Sequence, residues 1–141
     1  MTRGARRTVA VLIIAGAGIA AAPATLALGA PPARAVAANV SIVPNGGTCT
    51  SLFCFKPPFA RIANNGAASW VNRTTVTHTI TRCTPAACSG HGGGTGTDVG
   101  FGKGSLAPGK RYTFTFDAPG TYVYYCAIHG YAVMHGTISV H

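Results

Sequence analysis

The sequence predicts an all-β domain behind a targeting segment, and three observations carry the prediction. Short runs of β-branched and aromatic residues recur between clusters of Gly, Pro and Asn. From Arg111 the pattern sharpens into strict alternation, with Tyr112, Phe114 and Phe116 set against Arg111, Thr113 and Thr115, as a half-buried strand requires. Beyond residue 35 no stretch carries a helical period. A chain of 141 residues with few charges and abundant glycine has room for one small domain once the targeting segment is removed.

That segment comes first. Arg3, Arg6 and Arg7 precede an apolar run over residues 8–19, and Ala33-Arg34-Ala35 fits a small-residue cleavage site. Residues 1–35 therefore read as a secretory signal peptide and residues 36–141 as the mature, exported protein, whether secreted, periplasmic or held at the cell surface. Arg6-Arg7 leaves a twin-arginine route open beside the ordinary one. A retained anchor is the alternative, but Gly16, Gly18, Pro23 and Pro31-Pro32 make a poor permanent span.

Residues 36–43 form the first predicted strand, ended by the turn cluster Pro44-Asn45-Gly46-Gly47. Pro57-Pro58 breaks the next stretch, so a strand is expected only near residues 60–63, before the turn Asn64-Asn65-Gly66. Trp70 opens another strand and is expected in the core, since an indole fills a small domain efficiently. Asn39 and Asn72 each head a glycosylation sequon, a match short enough to arise by chance. Residues 89–104 are glycine-rich without hydrophobic period and read as a long flexible loop. The loop contains no phosphate-cradling motif. Pro108-Gly109 and Pro119-Gly120 bound the alternating strand, and residues 122–125 and 136–140 supply two more.

Cys49 and Cys54, and Cys83 and Cys88, are two C-x4-C pairs. In an exported chain an even set of four implies bridges, with three connectivities open. The two local ones are preferred because each closes a short loop, for about 2 kcal/mol each on the chain-entropy account. An all-thiolate zinc site is the alternative, and export weighs against it. Either way Cys126 is left over, and an odd thiol in an exported protein calls for a role. As a residue type it could simply be a small buried hydrophobe.

Its neighbours argue otherwise. Cys126, His129 and Met134 place a thiol, an imidazole and a thioether within nine residues, in a loop between two strand-like runs. That set suits a soft metal, and with a second imidazole it becomes a copper electron-transfer set. Residues 69–80 offer His78, on a strand able to cross beneath the loop.

The spacing C-x2-H-x4-M between strands, with W-x-N-x5-H upstream, resembles plastocyanin and its cupredoxin relatives over roughly residues 36–140. The resemblance implies a Greek-key β-sandwich and a protein that shuttles single electrons. It implies one copper per chain, held by His78, Cys126 and His129, with Met134 axial and weak. This chain has Thr77 and Ile128 where many plastocyanins have Pro before each ligand His, Val133 where they have Gly, and Thr79 where an Asn often braces the cysteine loop. Hydrogen bonds around the sulfur tune the potential, so the family's potential is not carried over.

Charge bounds the partners. The mature chain keeps Lys56, Arg61, Arg73, Arg82, Lys103, Lys110 and Arg111 against Asp98 and Asp117, a net of about +5. The cations are scattered, which argues against nucleic acid. A modestly basic surface suits plain solubility, an acidic redox partner, or peripheral association with an anionic membrane. Ala127, Ile128, Gly130, Tyr131, Ala132 and Val133 carry no charge, so a monomeric carrier is expected to dock its donor and acceptor proteins around His129. The equivalent histidine reaches the surface in the family this chain resembles.

Enzymes are disfavoured. Four protein ligands leave no open metal position for a substrate. Multicopper oxidases and nitrite reductases contain similar domains but need further histidines, typically beside the cysteine, where this chain has Tyr125 and Ala127. A thiol hydrolase built on Cys126 and His129 would want an orienting acid, of which the mature chain has two. Copper storage or delivery is the remaining alternative. His91, His135 and His141 are expected as solvent-exposed side chains, with a second metal as the sharper reading.

Overall fold

Nine strands and no helix form among the described residues of a computed structural model, which are 36–84, 88, 90 and 93–141. The expected signal peptide and His91 lie outside them. The strands are β1 (Val36–Gly46), β2 (Cys49–Lys56), β3 (Phe59–Ile62), β4 (Ala67–Asn72), β5 (His78–Arg82), β6 (Lys103–Leu106), β7 (Arg111–Thr115), β8 (Gly120–Tyr125) and β9 (His135–Val140). They make a four-stranded sheet of order β2-β1-β4-β7 and a five-stranded sheet of order β3-β9-β8-β5-β6. This is the expected all-β sandwich.

Period-two patterning explains the inner faces. On β1, Ala38, Val40 and Ile42 are buried while Asn39 is exposed. Trp70 on β4 is fully buried and touches both sheets, lying 5.5 Å from Tyr112 on β7 and 5.4 Å from Tyr124 on β8, ring centre to ring centre. Its removal would cost about 3–5 kcal/mol, as for other buried aromatics truncated to alanine. Phe116, just past β7, completes the inward aromatic row that the alternation predicted.

Three elements differ from expectation. Residues 49–56 form a full strand, with Phe55 buried and Leu52 exposed, although the cysteine pair and Pro57 hid it. Residues 69–80 are two strands in different sheets, because the chain crosses between sheets over residues 73–77. β6 begins inside the stretch expected as loop.

The loop itself is tied down over residues 93–102. Arg82 donates to the carbonyls of Asp98 (2.9 Å) and Gly96. The Asp98 carboxylate accepts from the Asp117 amide at 3.0 Å and the Tyr122 hydroxyl at 2.9 Å. Gly96 is buried, and a Cβ there would collide with the Tyr122 ring, so the backbone reaches β8 only because the residue is glycine.

The cysteines pair locally, Cys49 with Cys54 and Cys83 with Cys88, at Cα separations of 5.7 and 5.5 Å, leaving Cys126 free and buried. Of the three connectivities this is the one the short loops favoured. β1 runs parallel to β4, and β3 parallel to β9. β5 runs antiparallel to β8, with Thr81 opposite Tyr125, so the crossover before His78 and the loop between β8 and β9 share one end of the sandwich. Val36, opposite Ala67, lies at the other end, as does His141, whose carbonyl accepts from the Asn64 amide at 2.8 Å.

Candidate metal centre

Two separate pieces of chain build the site. β8 ends at Tyr125, and the following residues turn back on themselves: the Gly130 amide donates to the Cys126 carbonyl at 2.9 Å and the Met134 amide to the Gly130 carbonyl at 3.1 Å. Gly130 has φ of +80°, the left-handed conformation the turn needs and glycine adopts freely. The Cys126 amide then donates to the Met134 carbonyl at 3.0 Å, closing the loop. This folding sets His129 Nδ1 3.3 Å from the Cys126 sulfur. The second piece is β5, whose first residue, His78, points inward with Nδ1 3.7 Å from the same sulfur.

The three donor atoms all lie within 4.8 Å of one another. Ligands around a single ion, at about 2.0 Å for nitrogen and 2.3 Å for sulfur, stand roughly 3.5 Å apart, so the spacing fits one metal. One thiolate and two imidazoles suit copper. Among the described residues this is the one group of His, Cys or acidic side chains with such spacing. The four disulfide cysteines are not gathered into a zinc site. Met134 is buried in the same core cluster as Cys126, with its backbone fixed by the loop closure. His135 is exposed and stacked on Tyr131 at 4.4 Å, and His141 is at the far end, so neither joins the group.

Around the donors lies a shell of hydrogen bonds. The Thr79 amide points at the Cys126 sulfur at 3.4 Å, and the Thr79 hydroxyl accepts from the Ala127 amide at 2.8 Å. Thr79 thus ties the cysteine loop to β5, the work expected of an asparagine there. His78 is braced from behind. Its Nε2 lies 2.9 Å from the Thr74 hydroxyl, and that hydroxyl lies 2.8 Å from Asn72 Oδ1. Asn72 is saturated in turn, donating to the carbonyls of Val76 at 2.7 Å and Leu106 at 2.9 Å and accepting from the Thr74 amide at 2.9 Å. Asn72 Oδ1 and the Val76 carbonyl, at 3.1 Å, are both acceptors for the one Thr74 proton, which leaves the hydroxyl oxygen suited to accept from His78 Nε2. In the tautomer with the proton on Nε2, Nδ1 keeps its lone pair and faces the sulfur.

Burial, and then the nearby charge of His129, push the His78 imidazole down to about 4, so it is neutral and ready to donate at ordinary pH. Among the described residues no carboxylate joins the group of donors, and the Asp98 carboxylate is bound to the Tyr122 hydroxyl and the Asp117 amide.

Thr74 and Phe53 escaped sequence reasoning. The Phe53 ring, from β2, lies 4.7 Å from His78 and 4.8 Å from His129. Thr74 could have been suspected from its spacing of four before a candidate ligand; Phe53 gave no signal, because β2 itself was hidden.

A family model described as copper binding proteins, plastocyanin/azurin family, matches residues 42–141. The chain belongs to that family. Among solved structures, a purple cupredoxin from Nitrosopumilus maritimus is 24% identical, with 74% of this chain and 99% of that one aligned and a TM-score of 0.55. An oxidised amicyanin variant is 20% identical, over 82% of this chain and 88% of its own, with a TM-score of 0.51. Both share the cupredoxin fold. A Cu-containing nitrite reductase from Thermus scotoductus SA-01 is 25% identical over 82% of this chain, at a TM-score of 0.57, but the match spans only 25% of that longer chain. Copper is the cofactor of this family, and His78, Cys126, His129 and Met134 are arranged as a possible type 1 copper site.

Proposed function

We propose that the protein is a monomeric one-electron carrier, exported from the cell, with one copper held by His78, Cys126 and His129 and more weakly by Met134. The observation that carries this reading is the convergence of one thiol and two imidazoles within 4.8 Å, His78 from β5 and Cys126 and His129 from a loop 48 or more positions away. Copper bound there supplies a single-electron couple between its two common oxidation states.

The chain's own residues do the rest. Thr74 and Asn72 hold the His78 ring, Thr79 holds the sulfur, and the loop closure holds Cys126 and Met134, so the donors need move little when charge changes. His78 is sealed from solvent, whereas His129 is only half-buried and is the ligand a partner can approach. On the loop that carries it, Ile128 and Val133 are exposed. An uncharged surface lets a partner come close without stripping charges of water, and that favours brief complexes. The disulfides support an oxidising compartment, consistent with the signal segment.

The nitrite reductase match keeps a redox-enzyme domain as the second reading. Tyr125 and Ala127 beside Cys126 offer no further imidazole for another copper, which favours the carrier. Oxidised, copper-loaded protein should show an intense visible thiolate-to-copper band that Cys126→Ser abolishes. Absence of the band from the parent protein, or its survival in the variant, overturns the proposal.

A further inference from the structure

Strand β2 does more than complete a sheet. Its residues alternate, with Leu52 turned to solvent and Phe53 and Phe55 turned inward. Phe55 packs against Tyr124 in the core, but Phe53 is one step nearer the ligand end and meets the imidazoles instead. The rings of Phe53, His78 and His129 form a near-equilateral triangle, with centre-to-centre distances of 4.7, 4.8 and 4.9 Å. Phe53 meets His78 edge-on, at 76°, and His129 at a tilt of 52°. A single side chain thus touches the two imidazoles, which come from different parts of the chain.

What holds Phe53 there is unusual for an edge strand. It pairs with Pro44 on β1, and the register slips between Pro44 and Gly46. The ladder is therefore irregular just beyond Phe53. Cys49 and Cys54 bracket it, and their disulfide closes the strand end into a short ring. The covalent link holds the strand across that irregularity.

We propose that Phe53 is a positioning residue for both imidazoles, His78 and His129, and that the Cys49–Cys54 disulfide keeps it in place. The proposal rests on the copper reading above and adds a residue outside the ligands and their hydrogen-bonding shell. Phe53 excludes water from one side of the two rings and limits how far His129 can swing.

The test compares Phe53→Ala and Phe53→Leu with the parent, and with Phe114→Leu as a truncation elsewhere in the core. In copper-free protein, the histidine ring signals of His129 in NMR spectra should be single and sharp in the parent and broadened or doubled in Phe53→Ala. In copper-loaded protein, release to a chelator should accelerate about tenfold or more. The reduction potential should fall, because admitted water favours the more highly charged oxidised state. Phe53→Leu should restore most of each change. The double variant Cys49→Ser/Cys54→Ser should move every readout the same way by less, with β2 still hydrogen-bonded to β1. Unchanged His129 signals together with release within about twofold of the parent would overturn the proposal, as would an equal effect from Phe114→Leu. A parent protein without the visible band would instead sink the copper reading, and the ring signals of the copper-free protein would still decide whether Phe53 orders His129.

Discussion

The Thr79 amide donates to the Cys126 sulfur at 3.4 Å, across 47 positions of sequence. Being main chain, this donor cannot be deleted by substitution, but its aim depends on the Thr79 hydroxyl, which anchors the Ala127 amide. Thr79→Val should leave that amide without its acceptor and cost about 1–2 kcal/mol of stability, read from denaturant midpoints. The visible band should shift in position while keeping its intensity, because the ligands remain. A band identical to the parent's would show that Thr79 does not aim the sulfur's donor.

Thr74 stands behind His78 as the acceptor for its Nε2 proton. Thr74→Val keeps the shape and removes the acceptor, so copper affinity measured by chelator competition should drop about 10- to 100-fold. Thr74→Ser should retain most of it. Equal affinities in Thr74→Val and the parent would dismiss the relay through Asn72.

Acid should weaken the copper-free protein through His78. Its imidazole is held at about 4 by burial and by His129, against 6.5 in the unfolded chain. As pH falls through 6.5 the unfolded chain takes up a proton that the folded one refuses, so this contribution is complete above 6.5 and lost on the way down to about 4. The loss should reach about 3 kcal/mol and then level off. Urea midpoints across that window should show it, and His78→Phe should remove most of the slope. A slope that persists in His78→Phe would assign it to another group.

Gly96→Ala should be among the costliest single changes outside the core. The new methyl has to displace the Tyr122 ring or the backbone that Arg82 binds, for about 3 kcal/mol. Gly104→Ala serves as the control, since nothing lies within 4 Å of its added carbon. Thermal melts that move equally for the two would show that the glycine-rich stretch yields easily.

Ala132 is exposed on the ligand loop. If partners dock there, Ala132→Asp should slow electron exchange with the physiological partner about tenfold or more, with the copper spectrum unchanged. Exchange rates that respond only to neutralising distant Lys and Arg residues would move the port elsewhere.

The ligands were legible because three of them fall within nine residues between two strand-like runs, a local pattern that needs no tertiary knowledge. The strands around Tyr112 and Tyr122 were legible from alternation and aromatic content. β2 was not, because a C-x4-C pair and a diproline look like a loop, and Phe53 was lost with it. The switch of sheets at residues 73–77 was equally hidden: Thr and Val are good strand formers, and what bends the chain there is Asn72, whose side chain bonds Val76 and Leu106. Such partners are set by the fold, and Leu106 is 34 positions away.

Val36 and His141 lie together at the end of the sandwich remote from the imidazoles. That placement gives the domain a polarity. Anything joined at either position, whether a lipid-bound leader, a second domain or a chemical linker to an electrode, would hold the molecule by its foot and leave the His129 end facing outward. An immobilised protein attached there should still exchange electrons with soluble partners, whereas attachment through the loop after Cys126 would turn the reactive end to the wall.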